Sequence, residues 1–317
     1  MRKIINIELN YMLLSSFERN IILNTFRLLQ TSVVLQKTST HDFDSWKTWV
    51  KQTYKNEIFK SSIFYNKNKI ALEIYNFSTN EPLLIAQRDI KNYYKIKKHR
   101  IRCTEYLNIN KELFTSYTKN IFSSYYEDLF SRTSFMKKFS FNKSKFKTNI
   151  VEKLPGGICS YCDITDIKLP LNSEIDHFLP ISEYPYLSMN FLNLTVCCRN
   201  CNGMHTGKGS TVILPITNIQ TRCIGKRTKF HTDFTSISID SKIREDNNFI
   251  KLLKLKDTYN LKVIVSDIQI KYERFITILK SVHKEDRKKT VKLLVSCDEP
   301  YYFILKSLVN RSLSELD

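Results

Sequence analysis

Two cysteine pairs, Cys159-Ser160-Tyr161-Cys162 and Cys198-Arg199-Asn200-Cys201, constrain this chain more than any other feature. A two-residue gap lets both sulfurs of a pair turn toward one ion, and four thiolates complete a tetrahedron around Zn2+. Two such knuckles at matching spacing rarely arise as buried thiols that bind nothing. The stretch 163–197 between them is longer than in a simple zinc ribbon, so something further is inserted there. Cys197 adjoins Cys198 and leaves an ambiguity. Cys198 is preferred because it preserves the two-residue gap. Cys103, Cys223 and Cys297 are isolated in sequence and are read as buried free thiols.

Backbone punctuation singles out the same region. The first 155 residues contain no glycine, while five of the six glycines and four of the seven prolines fall between 155 and 209. Such density implies a small module full of turns, opening at Pro155-Gly156-Gly157. It also excludes a glycine-rich phosphate loop over half the chain. Gly203-x3-Gly207-Lys208-Gly209 has the wrong spacing for a P-loop and lacks Ser/Thr after the lysine. Neither a Rossmann enzyme nor a P-loop ATPase fits.

The flanks read differently. Of 317 residues 42% are hydrophobic and 26% charged, an ordinary folding composition with room for two or three packed units. Residues 1–150 read as mostly helical, from three-to-four apolar spacing across Met12–Leu35 and Leu113–Phe130. A short strand pair is expected at Ile58–Phe64 and Lys69–Tyr75 around Asn66-Lys67-Asn68. Residues 211–317 read as helical over Phe249–Leu255, Ile268–His283, Lys288–Val295 and Tyr302–Leu313. The expected organisation is a basic region 1–150 for nucleic-acid or partner binding, a module 151–210, and a helical region 211–317. No run of about 18 apolar residues is present, so no membrane insertion is expected, and the reduced thiols suit a cytoplasmic location.

Charge points to a polyanion. Fifty Lys+Arg against 31 Asp+Glu leave a net charge of +19. Residues 158–210 carry a net of −2, so the flanks hold the positive charge. Residues 91–102 contain six Lys/Arg and no acid, among them Lys95, Lys97, Lys98, Arg100 and Arg102. Phe135–Lys147 interleaves five lysines with phenylalanines. Such mixtures suit phosphate neutralisation with base stacking, and equally suit amphipathic segments with solvated lysines.

Between the knuckles lies Glu174-Ile175-Asp176-His177-Phe178-Leu179-Pro180, followed by Asn193-Leu194-Thr195-Val196 and then Asn202-Gly203-Met204-His205. These read as two short strands and a helix, with Asn202 and His205 sharing a face if a helix begins there. Phosphodiester hydrolysis needs a deprotonated water and a cation on the phosphate. Histidine suits the base, and Asp176 and Asn202 offer hard oxygens suited to Mg2+. Asn193 has both a donor and an acceptor with which to lock the His177 loop.

The segment 158–209 resembles the HNH endonucleases, ββα-metal nucleases with a four-cysteine zinc clamp. The resemblance rests on C-x2-C, D-H-x2-P, N-L, and C-x2-C-N with a following lysine. It implies an α+β fold, with a ββα-metal core flanked by mostly helical regions. It also implies that His177 is the general base, that Asp176 and Asn202 bind catalytic Mg2+ or Mn2+, that Asn193 orients the base and that Lys208 contacts phosphate. Asn202 stands where a histidine is commoner. His205 is either a further ligand or a surface histidine, and Glu174 either supports the metal or is a solvated carboxylate. The Glu174–Pro180 wording, with Tyr184-Pro185 and Asn193-Leu194, is similar to HNH subunits of bacterial anti-phage systems of Septu and Zorya type. That implies DNA as the substrate, with RNA open, and an ATPase or other defence-system subunit as partner. A homing endonuclease and a non-catalytic zinc-dependent nucleic-acid-binding protein are the alternatives.

Overall fold

A computed structural model describes residues 21–55, 57–60, 62–65, 69–85, 87–88, 90–91, 116–129, 143–184, 187–188, 193–203, 205–213, 216 and 223–316. The basic residues Lys95, Lys97, Lys98, Arg100 and Arg102, together with His99, Cys103 and residues 135–142, lie outside them. The chain forms two compact units. One contains Lys147–Asp176 and Val196–Asp317, the other the described part of Ile7–Phe146 together with His177–Thr195.

The second unit is helical. Its helices are α1 (Leu23–Thr38), α2 (Phe43–Thr53), α3 (Glu57–Lys60), α4 (Ser62–Tyr65), α5 (Lys69–Asn80) and α6 (Ser116–Ser124), the last running into a wider turn at Tyr125–Leu129. The expected strand pair at 58–64 and 69–75 is therefore corrected to helix. Ile70, Ala71, Ile74 and Phe77 are buried, a spacing that follows the helical period and not alternation. Asp42 starts α2 by accepting the Ser45 N–H at 2.8 Å. The core is aromatic: Phe26 meets Phe122 at 5.4 Å, and Trp46 lies beside Phe43 and Tyr75. Two pairs of buried polar groups lie among them, Trp46 Nε1–H donating to Ser32 Oγ and Thr25 bonding the Tyr125 hydroxyl.

α7 (Lys143–Glu152) runs from one unit into the other. Then come β1 (Ser173–His177) and β2 (Leu194–Cys198), which form one two-stranded sheet, and α8 (Arg199–Asn202). The remainder holds β3 (Thr228–Thr232), β4 (Ile237–Ser241), α9 (Arg244–Leu252), α10 (Leu255–Tyr259), α11 (Lys262–Ser281), α12 (Arg287–Leu294) and α13 (Tyr302–Leu316).

The region 211–317 is thus not purely helical. β3 and β4 pair antiparallel with Phe230 opposite Ile239, and burial alternates along both strands. Their turn is tied by Asp233. Hydrogen bonds from the Thr235 hydroxyl and the Ser236 N–H hold its carboxyl down at about 2. Lys254 adopts a left-handed backbone, φ 49°, and divides the expected 249–255 helix into α9 and α10. The other expected helices of this region are present. Cys223 is only partly buried and Cys297 is exposed, which corrects their reading as buried thiols.

Candidate active site and metal centre

The first knuckle is a tight turn built by its own backbone. Asp163 N–H donates to the Cys159 carbonyl at 3.0 Å, and Cys159 N–H to the Thr165 carbonyl at 2.8 Å. Asp163 closes the turn at φ 65°, a conformation more often taken by glycine. Its fully buried carboxylate accepts the Phe303 N–H at 3.1 Å in the first turn of α13, and its carbonyl accepts the Tyr301 N–H. A carboxylate there meets the positive end of the α13 dipole. Tyr259 holds the knuckle from another side, its hydroxyl donating to the Cys162 carbonyl at 2.7 Å. The second knuckle begins on β2 and ends in α8.

These supports bring the sulfurs of Cys159, Cys162, Cys198 and Cys201 within 4.8 Å of one another, all four buried. Cys162 Sγ lies 3.9 Å from Cys198 Sγ. A tetrahedral zinc with bonds of about 2.3 Å separates its sulfurs by about 3.8 Å. The donor set and its spacing therefore fit such an ion. Cys197 is not in the cluster. Burial, and then the Asp176 carboxylate, push its thiol well above the ordinary value, whereas hydrogen bonding from Cys159 lowers Cys198. Geometry, with Cys197 outside the cluster and Cys198 inside it, separates the two neighbouring sulfurs.

Glu174 and Asp176 lie two apart on β1 and so share a face. Asp176 is 4% exposed. Its Oδ2 accepts the Tyr161 hydroxyl at 2.7 Å, and its Oδ1 lies 2.9 Å from Lys208 Nζ. Burial and the adjacent Asp176 raise Tyr161 well above its ordinary value, so the phenol remains a donor. Lys208, 1% exposed, is carried to the carboxylate by a loop folded back on the knuckle, with its N–H on the Cys201 carbonyl at 2.9 Å. Gly207 permits that return: a Cβ there would lie 2.2 Å from the Cys201 oxygen.

Asn202 meets the other carboxylate of this face, its Nδ2 donating to Glu174 Oε2 at 2.9 Å, while Arg199 Nε lies 3.3 Å from Glu174 Oε1. The expected helix from Asn202 to His205 is not formed. α8 starts at Arg199 and stops at Asn202, because Gly203 is extended at its end. His205 is exposed, and among the described residues it joins no cluster of three or more His, Cys, Asp and Glu ligand atoms.

His177 belongs to the helical unit. Its Nε2 is 2.9 Å from the Ser188 carbonyl oxygen, and its ring stands edge-on to Tyr126 at 4.3 Å. A carbonyl oxygen only accepts, so Nε2 carries a hydrogen at this contact. Ser188 is itself tied down, its hydroxyl donating to the Phe122 carbonyl at 2.7 Å. Asn193, 6% exposed, grips the segment after His177. Its Oδ1 accepts Leu179 N–H at 2.8 Å and its Nδ2 donates to Leu179 O at 2.9 Å.

Sequence reading missed Tyr161, Tyr126 and Ser188. Tyr161 was visible inside the first knuckle, whereas Tyr126 and the Ser188 carbonyl carry no local signal. No family model and no solved structure matches this chain. Over 60 residues it is 37% identical to the Septu protein PtuB of Bacillus thuringiensis, a match covering 18% of this chain and 23% of that relative.

Proposed function

We propose that this chain is a metal-dependent endonuclease of HNH type, hydrolysing DNA phosphodiester bonds as the nuclease of an anti-phage defence system. The 2.9 Å contact of His177 Nε2 with the Ser188 carbonyl is the observation that carries this reading. With Nε2–H held by the Ser188 carbonyl, Nδ1 is the atom that takes a proton from the attacking water. Asn193 keeps the loop after the base from shifting. Asp176 and Asn202 are the side chains that would hold a catalytic Mg2+ or Mn2+. When bound, that cation polarises the phosphate and steadies the leaving oxygen. Tyr161 and Lys208 together aim the Asp176 carboxylate, the phenol on one oxygen and the ammonium on the other. Zn2+ on the four cysteines would staple β2 and α8 to the first knuckle.

The partial similarity to the Septu protein PtuB supports the defence role. A second subunit, an ATPase by the Septu resemblance, is the proposed partner. A plasmid-nicking assay with and without Mg2+ tests the enzyme directly. His177→Ala is expected to lower cleavage by about 10²–10⁴-fold, with zinc content and circular dichroism unchanged. Full cleavage by the zinc-loaded variant removes the assignment. A wild-type protein that binds DNA but never cuts it is instead a zinc-dependent binding protein.

A further inference from the structure

A cavity of about 610 Å³ opens between α12 and α13, within one unit and apart from the residues assigned above. Its floor is apolar, formed by Val291, Val295 and Leu313. Lys288, Lys292 and Lys306 line it, all three exposed, and no carboxylate is among its described lining residues. Lys288 and Lys292 are one helical turn apart, about 6 Å along α12. Across from them Tyr302 offers an aromatic ring. Lys306 Nζ donates to its hydroxyl at 2.8 Å and lies 5.1 Å from the ring centroid, so ring and ammonium are presented together.

We infer that this groove holds a segment of single-stranded nucleic acid. An apolar floor with an aromatic wall receives bases, and cations at regular spacing receive successive phosphates. A duplex keeps its bases stacked inside and leaves such a floor empty. The groove's volume suits one or two nucleotides of a separated strand. The absence of acids from the lining is the charge complement a polyanion requires. The inference goes beyond the catalytic reading, because strand binding here does not depend on cleavage.

Cys297 lines the groove and its thiol is exposed, which supplies a native reporter. The test uses the full chain carrying His177→Ala, so that binding is read without cutting. Alkylation of Cys297 by N-ethylmaleimide is followed by peptide mass spectrometry with a 20-nucleotide single strand present. At about ten times Kd the strand is expected to slow labelling about tenfold. Lys292→Gln with Lys306→Gln is expected to reduce the salt slope of binding by about 0.7 for each phosphate no longer neutralised, with zinc content unchanged. Tyr302→Leu is expected to weaken binding about tenfold. Unslowed labelling together with an unchanged salt slope overturns the inference. So does better protection of Cys297 by a duplex or by an acidic peptide, which would make the groove a duplex or protein surface.

Discussion

A lysine and an aspartate sealed together from water set the chemistry at the residue scale. Lys208 and Asp176 are 1% and 4% exposed and 2.9 Å apart. Removing one partner strands the other charge, so Lys208→Met is expected to cost about 3–5 kcal/mol in urea unfolding. Adding Asp176→Asn is expected to recover part of that loss, because the orphaned charge disappears with it. Asn193 makes a different prediction. Asn193→Ala leaves the Leu179 N–H and carbonyl without their partner, at a cost of about 2–3 kcal/mol. Its effect on cleavage is expected in kcat more than in KM, since Asn193 steadies the loop that carries the base.

At the scale of the element, the four-cysteine cluster is held by interactions from outside its own two knuckles. The first knuckle leans on α13 through Asp163 and on α10 through Tyr259. The second shares its backbone with β2 and α8, which brings Cys198 into the cluster and leaves the adjacent Cys197 outside it. Cys198→Ser is therefore expected to lose stoichiometric zinc, and Cys197→Ser to retain it, as read by atomic absorption on the purified variants. Loss of zinc from Cys197→Ser would reverse the ligand assignment. The strand readings at 58–75 failed at this same scale. Short apolar runs do not distinguish strand from helix, and the burial of Ile70, Ala71, Ile74 and Phe77 together settles the matter only once partners are present.

Across the whole molecule the net charge is +19, although residues 158–210 contribute −2 to it. DNA binding is accordingly expected to fall steeply with salt, with a slope of about 0.9 for each phosphate neutralised on a duplex. Charge reversal at Lys97, Lys98, Arg100 and Arg102 is expected to flatten that slope, measured by fluorescence anisotropy across a salt series. An unchanged slope would move the duplex-binding surface elsewhere on the chain.

The four-cysteine cluster was legible in the residues themselves, because a two-residue gap aims two sulfurs wherever the knuckle is placed. The Asp-His pair, the Asn193 lock and the helices of the C-terminal region were likewise local patterns. Tertiary structure alone decided what those side chains face. Tyr161, Lys208 and Ser188 stand 15, 32 and 11 positions from their partners, and no local period links them. It also decided that α12 and α13 leave a basic groove. Contacts of this kind depend on which elements pack together, and the free energy that selects that packing comes from burying the whole core at once.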